Sequence, residues 1–117
     1  MMEESQIPDR PAGPARPLPV AFERGELNHI LDLYGRMVAA GEWRDYAIDA
    51  DREEAVFAVF RRASEVPLFR IVKRPQAAER QGAYAVIAMD GRILRRGRDL
   101  HSVLRMFERR LIRLVEE

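Results

Sequence analysis

The sequence AYAVIAMDGRILRR, residues 83–96, has an apolar stretch on either side of an Asp90-Gly91 pair. Asp-Gly supplies the positive φ angles that a two-residue type I′ turn requires, so the segment predicts a β-hairpin. Three further apolar segments of strand length precede it and are separated by turn-forming residues. The five predicted strands cover residues 43–49, 55–62, 68–74, 83–89 and 92–96.

A helix is predicted before the strands. Apolar residues recur at three- and four-residue steps between Leu27 and Val38, which places them on one face of a helix over residues 24–40. Gly41 suits the end of that helix. Gly35 in its interior costs about 1 kcal/mol relative to alanine, and we expect it to allow close packing against a neighbouring element.

A second helix follows the strands. Asp99 can accept backbone N–H groups as its N-cap, and an apolar stripe runs from Leu100 to Val115. Short connections between the five strands favour antiparallel neighbours. The predicted fold is therefore a two-layer α+β domain, in which a five-strand antiparallel meander is flanked by an N-terminal and a C-terminal helix.

The first 21 residues differ in composition from the rest of the chain. They hold most of its prolines, which lack an amide hydrogen and bias the preceding residue toward extended conformations. We expect residues 1–21 to be a disordered arm and residues 22–117 to form one domain. Val20 and Phe22 are the residues we expect to dock the arm onto that domain.

The overall composition predicts a soluble cytoplasmic protein. The chain has 117 residues, of which 47% are hydrophobic and 33% charged, as in an ordinary globular domain. It contains no run of about 18 apolar residues, the minimum for a membrane helix. Glu3 and Glu4 stand where a signal peptide would carry basic residues.

Few residues are suited to catalysis or to holding a cofactor. Cysteine is absent, which excludes thiolate nucleophiles, iron–sulfur clusters and thiolate zinc sites. His29 and His101 lack metal-binding spacing, and the glycines form no phosphate-binding motif. We predict no metal, no cofactor and no catalytic residue, and the sequence favours a non-enzymatic protein over an enzyme.

Charge is distributed unevenly along the chain, although the net charge is only +1. Acids outnumber arginines over residues 23–60, whereas bases outnumber acids over residues 61–98. The leading interpretation is a binding module whose basic surface contacts an anionic partner, either a nucleic acid or an acidic protein. The alternative is that these bases pair with the acids of the first half. The predicted binding residues are Arg61, Arg62, Arg70, Lys73, Arg74, Arg95 and Arg96.

Strand alternation assigns some of these side chains to faces. Arg70 and Arg74 share one side of the third strand with Val72, while Phe69 and Ile71 point to the other side. In the fifth strand, strict alternation would place residues 92, 94 and 96 on one face. Several guanidinium groups would then line a common surface.

A second interpretation is an enzyme or a small-molecule binder with a pocket between the sheet and the helices. A run of aromatic and charged residues after the first helix is suited to hold a planar ligand, although a tryptophan close to a tyrosine is also typical of a core. These residues are Trp43, Arg44, Asp45 and Tyr46.

The second and fourth strands are apolar on both faces, because residues 55–60 and 84–89 contain no polar side chain except Tyr84. Helices can cover one face, and something must cover the other. The candidates are one helix on each side, the Pro-rich arm, or a twofold-related copy of the chain. Because both helices could be needed on one face, we expect a homodimer through the sheet.

Three segments resemble a known family. They are FERGELN at 22–28, LYGRMVAAGEWRDY at 33–46 and FRRASEVP at 60–67. They are similar to the alphaproteobacterial domain-of-unknown-function 2794 family, over residues 22 to about 107. The resemblance implies a small bacterial cytoplasmic protein, and it brings no activity, cofactor or catalytic residue with it.

Overall fold

The computed structural model describes residues 18–62 and 66–116, with the side chains of Val115 and Glu116 excepted. Residues 1–17 of the predicted arm lie outside this part. The elements in chain order are α1 Arg24–Ala39, β1 Asp45–Ala50, β2 Ala55–Phe60, β3 Phe69–Lys73, β4 Tyr84–Ala88, β5 Ile93–Gly97 and α2 Leu100–Glu116. The predicted α+β fold and its element order are confirmed.

The five strands form one antiparallel sheet in the order β1-β2-β3-β4-β5. Residues directly opposite each other in neighbouring strands share a face of the sheet, so the register sorts side chains into rows. One row runs Ile48, Phe57, Ile71, Val86 and faces the helices. We call this side the helix face. The next row lies on the opposite side, which we call the open face, and it runs Asp49, Val56, Val72, Ala85, Arg96.

Both helices pack on the helix face, and the core lies between them and the sheet. α2 lies across β4 and β5, and α1 packs beside α2. Leu33 of α1, Leu104 of α2 and Phe57 of β2 are fully buried in this layer. Burial of each such side chain stabilises the fold by about 1.5–3 kcal/mol, so the apolar stripes hold the two layers together.

Hydrogen bonds to nearby side chains cap the first turn of both helices. The Glu26 side chain accepts from the Glu23 amide at 2.7 Å at the start of α1. At the start of α2, Asp99 accepts from the Ser102 amide at 3.0 Å and from the Ser102 hydroxyl at 2.8 Å, as predicted for an N-cap. These hydrogen bonds lower the pKa of Asp99.

The hairpin between β4 and β5 differs from the prediction in its turn. The Ala88 amide donates to the Arg92 carbonyl at 2.8 Å, which closes a three-residue loop instead of a two-residue one. Within it, the Gly91 amide donates to the Ala88 carbonyl at 2.9 Å, and Gly91 has a φ of 92°. A turn followed by a left-handed glycine is the usual three-residue solution, and here Asp90 supports it by accepting from the Arg92 amide at 3.0 Å.

Two glycines have opposite surroundings. The prediction of close packing at Gly35 is wrong, because Gly35 is exposed and a Cβ there would meet open space. Gly82, at the end of the β3–β4 connection, has a φ of 94°, and a Cβ there would collide with the backbone of Gly97. Gly82 is therefore the position where the fold requires glycine.

Candidate functional site

The structure does not bring the seven predicted binding residues together. Arg70 and Arg96 lie on the open face, opposite Ile87 and Ala85 of β4. Arg95 pairs in register with Val86 and so belongs to the helix-face side of the edge strand β5. The other four residues lie at the two ends of the sheet.

Lys73 and Arg74 form ion pairs with acids of the first half of the chain. Arg74 Nη2 donates to Glu54 Oε1 at 3.0 Å. Lys73 Nζ donates to Glu26 Oε1 at 2.8 Å and to the Ala21 carbonyl at 3.0 Å, on the helix-face side of the sheet. For these two bases, the alternative of internal pairing holds.

Glu26 also accepts a hydrogen bond from the Tyr84 hydroxyl, so one carboxylate links α1 to β3 and β4. Burial raises the pKa of Glu26, but the hydrogen bonds from Lys73, Tyr84 and the Glu23 amide outweigh burial, and the pKa is lowered overall. Burial and the Glu26 carboxylate raise the pKa of Tyr84. The hydrogen bonds of Glu26 with Lys73 and Tyr84 therefore attach α1 to the sheet.

Arg61 and Arg62 lie at the other end of the sheet, directly after β2, where the loop that follows α1 also lies. Gly41 ends α1 with a φ of 79°, and the chain turns back so that the Glu42 amide donates to the Met37 carbonyl at 2.9 Å. This turn inserts Trp43 between the helices and the sheet, where 4% of its surface is exposed.

A pocket of about 400 Å³ opens beside Trp43. The floor is apolar and aromatic, and the rim is charged. The lining residues are Met37, Trp43, Leu68, Phe69, Met106 and Phe107 for the floor, and Glu42, Arg61, Arg110 and Arg113 for the rim. A shallower groove shares Glu42, Trp43 and Arg61 with the pocket and adds Arg44 and Arg62.

Five arginines from three segments of the chain therefore line this pocket and the groove beside it. We call this surface the arginine end, and its members are Arg44, Arg61, Arg62, Arg110 and Arg113. Glu42 Oε1 lies 3.3 Å from Arg110 Nε and is the one carboxylate among the described lining residues. Together the pocket and the groove form a positive surface suited to bind an anion.

The aromatic side chains of the floor pack edge to face on one another. Trp43 meets Phe107 edge to face, with ring centroids 5.0 Å apart and planes at 81°. Phe69 packs on Phe107 in the same way, at 5.0 Å and 75°. Such pairs contribute about 0.5–1.5 kcal/mol each beyond the burial of their area, so the floor is held in place by the core.

The four residues of the predicted alternative pocket do not converge. Trp43 and Arg44 line the arginine end. Asp45 lies opposite Phe60, on the open face. Tyr46 lies on the helix-face side, stacked on Phe57 with ring centroids 4.8 Å apart.

Sequence reasoning missed Arg110 and Arg113 as site residues. They lie on α2 among the residues of its apolar stripe, and arginines interspersed in this way are typical of a solvated helix face. Arg110 comes three residues after the buried Phe107, which places the two side chains on neighbouring parts of the helix surface. That spacing is the signal that could have found it.

The described residues contain no group of three or more metal-ligating side chains. His29 and His101 approach each other, with ring centroids 4.7 Å apart, and no third ligand joins them in this part of the chain. Over the same residues, no helix has the length and apolar character needed to cross a bilayer.

A family model described as a protein of unknown function, DUF2794, matches residues 20–104. The chain belongs to this family. The DUF2794 match confirms the resemblance seen in the sequence, and it includes Trp43, Arg44 and Arg61 but ends before Arg110 and Arg113. Comparisons with curated proteins and with solved structures found no match.

Proposed function

We propose that this DUF2794 protein is a binding module that takes an acidic segment of a partner protein at the arginine end. One apolar side chain of that segment enters the pocket, and flanking carboxylates pair with the arginines. The supporting observation is the combination of an apolar floor and an arginine rim around one opening of about 400 Å³. Guanidinium groups match carboxylates in charge and in bidentate geometry.

The floor favours a protein segment over a nucleic acid. Proteins that bind single-stranded nucleic acids stack bases on exposed aromatic faces. Here Trp43 is 4% exposed and Phe107 is 3% exposed, and each is held edge to face by its neighbours. An aliphatic side chain needs only a gap with apolar walls, which the pocket offers.

The lining favours binding over catalysis. Among the described lining residues, Glu42 is the one carboxylate, no histidine is present, and Glu42 lies in an ion pair with Arg110. General acid–base catalysis needs a group whose pKa lies near the working pH and which reaches the substrate. A non-enzymatic binding module therefore fits these residues better.

The test is a titration of the full chain with a short acidic peptide that carries one central leucine. We expect affinity to fall as salt is raised, because the contacts are charged and lie at the surface. The double variant Arg61→Ala/Arg113→Ala should weaken binding about tenfold or more, which corresponds to two lost charged contacts. The matched control is Arg52→Ala/Arg80→Ala, which removes two exposed arginines outside the arginine end.

Three results would contradict this function. The peptide fails to bind at low salt, the control pair weakens binding as much as the pocket pair does, or a serine in place of the leucine binds equally well. Single-stranded RNA of equal charge is titrated in parallel. If RNA binds more tightly than the peptide and loses affinity with the pocket pair, the partner is a nucleic acid.

A further inference from the structure

The open face of the sheet carries apolar side chains that the two helices leave uncovered. On it, Ile93 of β5 is 51% exposed, its partner Ile87 on β4 is half-buried, and Phe60 on β2 is half-buried as well. Both helices pack on the opposite side. A two-layer domain normally presents a polar second face, so this surface indicates an interface.

One row of the open face ends in opposite charges. The register aligns Asp49, Val56, Val72, Ala85 and Arg96 across all five strands. Asp49 lies on the edge strand β1 and Arg96 on the edge strand β5. Of the three apolar residues between them, Val56 is half-buried, while Val72 and Ala85 are already buried within one chain. The two charges stand about 19 Å apart, since neighbouring strands are spaced by about 4.8 Å, and they do not pair within one chain.

A twofold axis can bring two copies of this row together so that their opposite charges meet. Two open faces can stack about a twofold axis that runs parallel to β3, between the two sheets. The strand order of one copy then runs opposite to that of the other, so β1 of each copy lies over β5 of the other. The rows stay in register, because an axis along the strands leaves position along the strands unchanged. Asp49 of each copy then meets Arg96 of the other, and the apolar residues meet between them.

We propose that the open face is the interface of a homodimer with this arrangement. The inference goes beyond the proposed function and does not depend on it. Its basis is the charge complementarity of the row together with the apolar side chains that the helices leave uncovered, which are the exposed Ile93 and the half-buried Val56, Phe60 and Ile87. Isologous interfaces require this kind of self-complementarity, and stacked sheets keep their strand directions within about 30°.

The N-terminal arm is a poorer occupant of the open face. Its described end runs toward the helix-face side, where the Ala21 carbonyl accepts from Lys73 and Phe22 packs against the core. The remaining sequence, residues 1–17, contains three large apolar residues, Met1, Met2 and Ile7, among prolines and charges. That is too little apolar surface to replace a second sheet.

The arrangement predicts a weak dimer. Five strands of about five residues each span a flat area of roughly 400 Å², which is small beside the roughly 800 Å² of accessible surface that each partner buries in a standard interface. Arg70 lies on the central strand, close to the axis, and meets its own copy there. We expect dissociation in the micromolar range, and Arg70→Gln should tighten the dimer.

The dimer has a geometric consequence. Since the axis runs along the strands, the ends of β2 in the two copies point the same way. The two arginine ends, which follow β2, then lie at the same end of the assembly. A partner with two acidic segments would meet two pockets.

Charge reversal tests the proposal on the full chain. Sedimentation over a dilution series gives the dissociation constant, and we expect Asp49→Arg and Arg96→Asp each to weaken the wild-type dimer about tenfold or more, because each replaces two attractive contacts by two repulsive ones. An equimolar mixture of the two variants should restore dimers, since both contacts of the mixed dimer are attractive again. Arg105→Asp, at an exposed site on α2, is the control and should change nothing.

Arg96 is half-buried, so circular dichroism checks that Arg96→Asp is folded, and Ile93→Glu offers a second disruption at an exposed position. Ile93→Glu should also weaken the dimer about tenfold. A monomer at hundreds of micromolar overturns the proposal. The proposal is also overturned if Asp49→Arg and Ile93→Glu leave the dissociation constant unchanged, or if the equimolar mixture fails to associate.

Discussion

Glu42 and Arg110 are joined by an ion pair of 3.3 Å across the edge of the pocket. The contact connects the loop after α1 to the C-terminal half of α2, residues that are 68 positions apart in the sequence. The Glu42 carboxylate pairs with the Arg110 guanidinium, which an acidic ligand would otherwise bind. The pair therefore holds the pocket in shape and, at the same time, competes with its proposed ligand.

This competition predicts that Glu42→Gln binds the acidic peptide more tightly. The substitution frees Arg110 and removes from the rim a negative charge that repels an acidic ligand. An exposed pair of this kind is worth about 0.2–1 kcal/mol, so affinity should rise by about 1.4- to fivefold. Calorimetry at constant salt measures the change. Asp32→Asn is the control, because Asp32 lies 3.8 Å from Arg36 on α1 and does not line the pocket. Weaker binding by Glu42→Gln would contradict the proposed role of Arg110.

Gly35→Ala should stabilise the protein. The position is helical and exposed, and a Cβ there meets nothing within 4 Å. Alanine removes the conformational freedom that glycine has in the unfolded chain, so the free energy of unfolding should rise by about 1 kcal/mol. Denaturant unfolding measures it, and Gly82→Ala is the contrasting variant. Gly82→Ala should destabilise the fold because Gly82 has a φ of 94° and meets the backbone of Gly97.

Acid should weaken the attachment of α1 to the sheet. The folded-state pKa of Glu26 lies below its ordinary value of 4.5. Its contribution to stability is therefore complete above about pH 4.5 and is lost as pH falls through the folded-state pKa. Glu26→Gln removes the charge that Lys73 and Tyr84 contact, and it should destabilise the protein by about 1–2 kcal/mol at pH 7.

Denaturant unfolding between pH 7 and pH 3 separates this effect from general acid sensitivity. The difference in unfolding free energy between wild type and Glu26→Gln should shrink as the pH falls. Asp32→Asn, which changes an exposed carboxylate on the same helix, should leave the pH profile near that of wild type. If the difference in unfolding free energy between wild type and Glu26→Gln stays constant down to pH 3, then folding does not lower the pKa of Glu26 and the prediction is wrong.

The element order could be predicted because its signals are local. The helical periodicity of α1 and the turn residues between strands lie within short windows of sequence. Alternation along β3 alone placed Ile71 on one face of the sheet and Arg70 on the other, as the structure shows. Alternation failed in β5, where the register shifts beside Ile87: Ile93 takes the open face with Arg96, while Leu94 packs against the core.

The arginine end could not be predicted, because its parts are distant in sequence. Arg61 comes from the end of β2 and Arg110 from the second half of α2, and only the packing of α2 beside Trp43 brings them to one opening. The uneven distribution of charge pointed to Arg61 and Arg62. It also pointed to Lys73 and Arg74, whose acidic partners are set by tertiary structure.

Trp43 is the chain's single tryptophan and lines the pocket, so its fluorescence reports directly on whether the proposed ligand enters there. The decisive measurement is its emission during titration of the full chain with the leucine-bearing acidic peptide. We predict a saturable change in emission whose midpoint agrees with calorimetry and moves about tenfold higher in Arg61→Ala/Arg113→Ala. An unchanged emission at peptide concentrations that saturate binding would contradict the account, because the peptide would then bind away from the arginine end.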